Sequence, residues 1–170
     1  AGTTSNRSIL FDLKGNPVFS SQKEFTQYFP KSGWVEHDPD EIWRTTVKTL
    51  KDVIQKAKKL RGKILNIGIT NQRETTVLWD KRTGKPIYNA IVWQDRRQEE
   101  FCVKLRKQNK DTMIFNKTGL LIDSYFSGTK IKWILDNVPK AKKLMNSNQL
   151  LFGTIDSLSL IHISEPTRRS

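Results

Sequence analysis

The sequence predicts an α/β domain with helices layered on a sheet, and three observations lead there. Strand-like and helix-like stretches follow one another as hairpin, helix, strands, helices and strand, the order of a layered domain. One long segment combines a full helix start with apolar residues at helical spacing. An apolar strand-like run, residues 64–70, ends in the polar hexapeptide Asn71-Gln72-Arg73-Glu74-Thr75-Thr76. The end of such a strand is where an α/β protein usually seats a ligand. The size agrees: 170 residues, 36% hydrophobic, with five Trp and eight Phe, suffice for one ordinary domain with a core.

Residues 2–7, Gly-Thr-Thr-Ser-Asn-Arg, gather backbone N–H and hydroxyl groups in one turn. Such a turn can cradle phosphate oxygens, with Arg7 adding charge. It lacks the Gly-Lys-Ser/Thr ending of a Walker A loop, and on its own reads as a flexible polar terminus. Residues 8–12 and 18–28 read as two strands of a hairpin around the turn Lys14-Gly15-Asn16-Pro17. A loop over 29–35 follows. Asp38 is a good N-cap, Pro39 fits the first helical position, and Glu41 stands where a capping box needs it. Behind it Ile42, Thr46, Leu50, Val53, Ile54, Ala57 and Leu60 make one face, Lys and Arg fill the other, and Gly62 ends the helix. His37 precedes the helix with no second His or Cys nearby, so it reads as structural rather than as a metal ligand.

After the 64–70 strand and the hexapeptide, residues 77–79 read as another strand and 81–86 as a turn. Residues 89–97 run from a strand into a helix that continues to about 108. Trp93 at that junction reads either as a flat apolar wall for a ligand or as core. A short helix over 111–117, a loop over 118–126 with Tyr125 near its end, and helices over 127–138 and 139–146 come next, with Ile131, Ile134 and Leu135 inward. Residues 150–156 read as a buried strand.

Charge is lopsided, 30 Lys and Arg against 17 Asp and Glu, a net +13. That invites a nucleic-acid reading, but the cations spread along helix faces with no aromatic interleaving. A solvated Lys-rich surface that attracts anions weakly is the better account. Cys102 is the only cysteine, so no intrachain disulfide forms, which fits a reducing compartment. No apolar run reaches membrane-spanning length, and no membrane association is expected. The pair Arg73-Glu74 carries the sharpest chemistry: a fork of donors beside an ionised acceptor, suited to a ligand with several hydroxyls. Neighbours on a regular strand point to opposite faces, so both serve one ligand only if the chain bends; otherwise they are a weak surface ion pair.

Several blocks together resemble the FGGY family of carbohydrate kinases, and its glycerol-kinase branch in particular. They are residues 2–7, Gly-Trp-Val-Glu-His-Asp-Pro at 33–39, Gly-Ile-Thr-Asn-Gln-Arg-Glu-Thr-Thr at 68–76, Asn-Ala-Ile-Val-Trp-Gln-Asp-Arg-Arg at 89–97, Tyr-Phe-Ser-Gly-Thr-Lys at 125–130, and Leu-Phe-Gly-Thr-Ile-Asp at 151–156. The Asn-Gln-Arg-Glu-Thr block separates that branch from sugar-specific relatives. The resemblance implies a ribonuclease-H-like, actin-like ATPase domain, a mixed sheet with flanking helices, here an N-terminal part spanning 1–157. It implies ATP-dependent phosphorylation of glycerol to sn-glycerol 3-phosphate, with ATP and Mg2+ as cofactors, in a cytoplasmic enzyme that is a homo-oligomer at full length. Thr3, Thr4, Ser5 and Arg7 would hold the nucleotide phosphates. Arg73, Glu74 and Tyr125 would contact glycerol, and Trp93 would wall its carbon chain.

The same resemblance sets further expectations. The family's first strand, with an Asp shortly before the Gly-Thr-Thr, is not present ahead of Ala1. The general-base Asp and the adenine site belong beyond residue 170, so no catalytic base is expected within this chain and the 170 residues alone are expected to be inactive and poorly stable. Residues 158–170 depart from the family and read as a non-native or disordered tail, of the kind produced when adapter DNA is translated. Two other readings stand beside this one: another FGGY polyol or sugar kinase, and a non-enzymatic basic module that binds nucleic acid.

Overall fold

A computed structural model describes residues 1–158; most of the tail expected at 158–170 lies outside the described residues. The chain forms two compact units. The first takes in Ala1–Gln27, His37–Gln72 and the described residues from Ile155; the second takes in Tyr28–Glu36 and Arg73–Thr154.

The first unit is a hairpin packed on one long helix. Strands β1 (Ser5–Phe11) and β2 (Pro17–Glu24) pair antiparallel, with Arg7 opposite Gln22 and a bulge near Phe11. The second strand stops at Glu24, short of the expected 28, because Phe25 turns inward to 6% exposure. Helix α1 (Pro39–Lys59) starts as expected: Asp38 is the N-cap, its carboxylate accepts from the Asp40 amide, and Pro39 is the first helical residue. Glu41 does not close a capping box, since its carboxylate accepts from the Thr26 amide and hydroxyl instead. Ile42, Thr49, Val53 and Ala57 are buried, whereas Leu60 is 51% exposed as the C-cap. The left-handed residue beyond it is Arg61, at φ 53°, and not Gly62. Polar bonds lock α1 to the hairpin: the Asn6 amide donates to the Ile42 carbonyl at 2.8 Å, and the Ser8 and Thr49 hydroxyls meet at 2.9 Å.

Residues 64–70 are not a strand, contrary to their composition. They find no ladder partner among the described residues, and a strand exists only by pairing its backbone. Ile64, Leu65, Ile67 and Ile69 are therefore 38–60% exposed. One ladder step exists at the end of the run: the Ala1 amino group donates to the Thr70 carbonyl and the Gln72 amide to the Ala1 carbonyl, each at 2.7 Å.

The second unit is built on a sheet in the order β3-β5-β4-β6, comprising β3 (Glu36–His37), β4 (Thr76–Asp80), β5 (Ala90–Ile91) and β6 (Leu150–Thr154). Strand β4 pairs antiparallel with β5 and β6, Thr76 lying opposite both Ile91 and Thr154. The helices are α2 (Glu99–Lys107), α3 (Asp111–Thr118), α4 (Ser127–Asn137) and α5 (Pro139–Asn146). The core is Leu78, Ile91, Ile134 and Ala141, with Ile131 and Leu135 packed at its margin. Two expectations need correction. Residues 92–98 are turn rather than helix, so α2 starts only at Glu99. Among the described residues β6 is an edge strand, not a buried one, and Phe152 is 62% exposed.

Candidate functional site

The hexapeptide bends where one side chain must change direction. Glu74 has φ 61°, a left-handed conformation that ordinary residues avoid, and the Thr75 amide bonds back to the Arg73 carbonyl at 2.8 Å. The turn is held from α4. The Glu74 carboxylate takes the Ser127 amide at 2.9 Å and the Ser127 hydroxyl at 2.8 Å, both on Oε2. An anion at a helix N-terminus satisfies otherwise orphaned amides and meets the positive end of the dipole. Arg73 is exposed beside it.

Trp93 and Tyr125 reach the same turn. The Trp93 amide donates to the Thr75 hydroxyl at 3.3 Å, and Tyr125 lies two residues before Ser127. Their rings meet edge to face, centroids 5.9 Å apart at 62°, both half-buried. The Tyr125 amide donates to Asp123 at 2.7 Å, and Arg96 bonds the same Asp123 oxygen at 3.0 Å. Lys130 lies beneath, 1% exposed, with Nζ donating to the Tyr125 carbonyl. Burial pushes its ammonium down to about 8, opposed by the charges of Glu74, Asp95 and Asp123 and assisted by Arg96. All four residues expected at the polyol seat thus belong to the second unit, with Glu74, Trp93 and Tyr125 linked through Thr75 and Ser127.

The hydroxyl turn lies in the first unit. The Gly2 amide bonds the Ser5 carbonyl at 2.9 Å, and a side chain on Gly2 would meet that oxygen at 3.0 Å, so the turn requires glycine. Arg7 is not free: Nε and Nη2 both donate to the Gln22 side-chain oxygen, at 2.8 and 2.5 Å, while Gln22 donates to the Ser5 hydroxyl at 2.9 Å. Thr3 and Ser5 are half-buried; Thr4 and Arg7 are exposed. An open cavity of about 610 Å³ lies here, walled by Gly2, Thr3, Ser5 and Arg7 and by residues 67–72, over Thr46 and Thr49 of α1.

Sequence reasoning missed the supporting groups. Ser127 and Lys130 stand inside the block at 125–130 but were assigned no role there, and Gln22 lies in none of the blocks; the helix start at 127 is the signal that an anion could be capped there. It also missed the centre of the second unit. Arg97, its side chain 1% exposed, bonds Glu36 and Asp95 at 2.8 Å each and lies 3.9 and 4.5 Å from the ring centroids of Trp34 and Trp133. Glu36 also accepts from the Tyr88 hydroxyl and the Asn89 amide. His37 is fully buried against Phe25, and burial alone pushes its imidazole down to about 4. Among the described residues no group of three His, Cys, Asp or Glu side chains could hold a metal ion, and no helix is long and apolar enough to cross a membrane.

A family model described as the FGGY family of carbohydrate kinases, N-terminal domain, matches residues 1–165. A glycerol kinase of Petrotoga mobilis is 52% identical over 99% of this chain and 35% of its own length. One of Malacoplasma penetrans is 59% identical over 92% of this chain and 31% of its own. Among solved structures, a Plasmodium falciparum glycerol kinase with ADP superposes at a TM-score of 0.89 with 35% identity, covering 96% of this chain and 33% of that one. A gluconate kinase of Lactobacillus acidophilus, 24% identical at a TM-score of 0.80, shares the fold. The chain spans about a third of the length of the curated relatives it matches.

Proposed function

We propose, because this chain belongs to the FGGY family of carbohydrate kinases, that the whole protein transfers the terminal phosphoryl group of ATP to a terminal hydroxyl of glycerol. The bond between the γ-phosphorus and the β–γ bridging oxygen breaks as the hydroxyl oxygen bonds phosphorus. ADP leaves, and the hydroxyl proton passes to a base. By resemblance that base is contributed from outside these residues, so the chain's own part is binding and positioning, which is most of what phosphoryl transfer asks of a protein.

The observation that carries this reading is the left-handed Glu74, pinned through Oε2 to Ser127 and joined to the Trp93–Tyr125 ring pair. That pinning leaves Oε1 to accept from a hydroxyl, while exposed Arg73 donates to another. The two rings cover the carbon chain and keep water from it. Thr3, Thr4 and Ser5 offer donors to nucleotide phosphates, and Arg7 offers them its remaining nitrogen, Nη1. Mg2+ would be held largely by the nucleotide phosphates and water and would offset the charge that develops on the transferred group; among the described residues no three His, Cys, Asp or Glu side chains form a cage of their own. Cytoplasmic location and homo-oligomerisation of the whole protein follow from the same family reading.

The test is an initial-rate assay of ATP-dependent glycerol 3-phosphate formation by the whole protein. The Glu74→Gln variant, which loses the ionised acceptor, should fall in kcat/KM for glycerol by about 100-fold, the cost of an unpaired polar group in a site built to bond hydroxyls. Equal rates with and without glycerol in the native protein would sink the reading.

A further inference from the structure

Four residues form a directional chain of hydrogen bonds through the interior of the first unit. The Gln27 amide nitrogen donates to the Thr3 carbonyl at 3.1 Å, so its Oε1 is an acceptor. That oxygen lies 2.7 Å from His37 Nε2, which must therefore carry the proton. Nδ1 is then an acceptor, and it faces the Gln72 side-chain nitrogen at 3.4 Å. One tautomer and one amide orientation satisfy every step. His37 is fully buried and Gln72 is 7% exposed. Burial holds the imidazole neutral at ordinary pH, as the relay requires.

The relay meets the hydroxyl turn at the Thr3 carbonyl, and two main-chain amides outside the relay hold the neighbouring carbonyls. Gln27 ties back the Thr3 carbonyl, the Phe25 amide ties back that of Thr4 at 3.3 Å, and the Gln72 amide ties back that of Ala1 at 2.7 Å. Carbonyl oxygens repel a phosphate, whereas N–H and O–H groups attract it. A turn whose carbonyls are drawn into the protein is left to present donors.

We infer that Gln27 and His37 are positioning residues for nucleotide phosphates, setting the hydroxyl turn through the Thr3 carbonyl. Neither touches the ligand. The inference rests on the phosphate role proposed above for that turn, and it assigns no part in glycerol recognition to either residue.

The decisive variant is Gln27→Glu. It keeps the side chain's shape and its acceptor for His37 Nε2, but it cannot donate to the Thr3 carbonyl. ATP and glycerol affinities are measured separately on the whole protein by titration calorimetry, without turnover. ATP affinity should fall about fivefold, the value of one net hydrogen bond, with glycerol affinity unchanged. His37→Phe, which keeps ring packing against Phe25 and loses both nitrogens, should weaken ATP in the same sense. The double variant should be no worse than the weaker single one, since both break one path. Unchanged ATP affinity in the folded Gln27→Glu protein overturns the inference, as does an equal loss for both ligands. A native protein that binds no ATP overturns it as well. A native protein that binds ATP but leaves glycerol unphosphorylated would instead defeat only the proposed reaction.

Discussion

Glu74 occupies a backbone conformation that costs an ordinary residue roughly 1–2 kcal/mol. Two hydrogen bonds from Ser127 to its carboxylate, each worth roughly 1.5–3 kcal/mol when the acceptor is charged, outweigh that cost. Lys130 adds the nearby positive charge, and that charge titrates low, at about 8. The folded protein therefore releases this proton before the unfolded chain, whose ordinary lysine value is 10.5. Above pH 8 the unfolded state binds more protons, so the group's contribution to stability rises with pH. This group alone therefore does not drive unfolding in that range, and a melting curve at each pH separates a loss of glycerol affinity from unfolding. KM for glycerol should stay flat to about pH 8 and then climb, by roughly tenfold at most, the change that one pKa unit of coupling carries. Lys130→Arg should stay flat through pH 9.5, since guanidinium keeps its charge. A wild-type and an arginine profile that coincide across the range would refute the coupling. The sequence marked Arg73 and Glu74 as a candidate pair because a donor fork and an acceptor stood adjacent at the end of an apolar run, but residue types alone left a surface ion pair equally open, and the resemblance supplied the expected role. Ser127, Lys130 and Gln27 were not marked, since each acts on a residue distant along the chain or through a backbone carbonyl that no side-chain pattern reports.

Helix α1 was legible because its signals are local: an N-cap, a proline at the first position and a 3.6-residue period. Its capping box failed for a tertiary reason, Thr26 having taken the Glu41 carboxylate. Residues 64–70 failed more completely. Their alternating aliphatics state a propensity, but pairing is a property of two segments. Ala1 makes one ladder step, bonding the Thr70 carbonyl and the Gln72 amide. Both bonds fall to one residue from positions two apart, the spacing of a parallel ladder. β6 was read as buried from its run of apolar residues, yet among the described residues it lies at the sheet edge, where one side of the ladder has no neighbour. Amide exchange separates the two cases. The amides of residues 64–69 should exchange within seconds to minutes at neutral pH, while those of Val77 and Leu78, 2% and 1% exposed in a strand paired on both sides, should persist far longer. Protection of 64–69 equal to that of β4 would show a ladder where none is described.

Each unit has its own weakness as a folding entity. In the first, a two-stranded hairpin rests on a single helix, an arrangement of marginal stability without further strands. Residues 64–70 and hairpin residues such as Phe11 and Leu13, 55% and 92% exposed, leave apolar surface in water. In the second, Phe115, Leu121 and Phe152 are 54–73% exposed. The net charge of +13 adds self-repulsion that salt would screen. Glycerol is neutral, so its binding should be almost indifferent to ionic strength, whereas nucleic-acid binding by so basic a chain would collapse steeply with salt. These 170 residues, prepared alone, should therefore melt broadly and gain stability as salt rises from about 0.05 to 0.5 M, a range that shortens the screening length well below 10 Å. They should form no glycerol 3-phosphate from glycerol and ATP at any salt, because in the proposed reading these residues position a hydroxyl while the base that takes its proton is contributed from outside them. Calorimetric melting and a coupled assay on the same preparation check both halves. A sharp cooperative transition together with glycerol-dependent ATP turnover would mean that the exposed apolar surface is no liability and that a base lies among these residues.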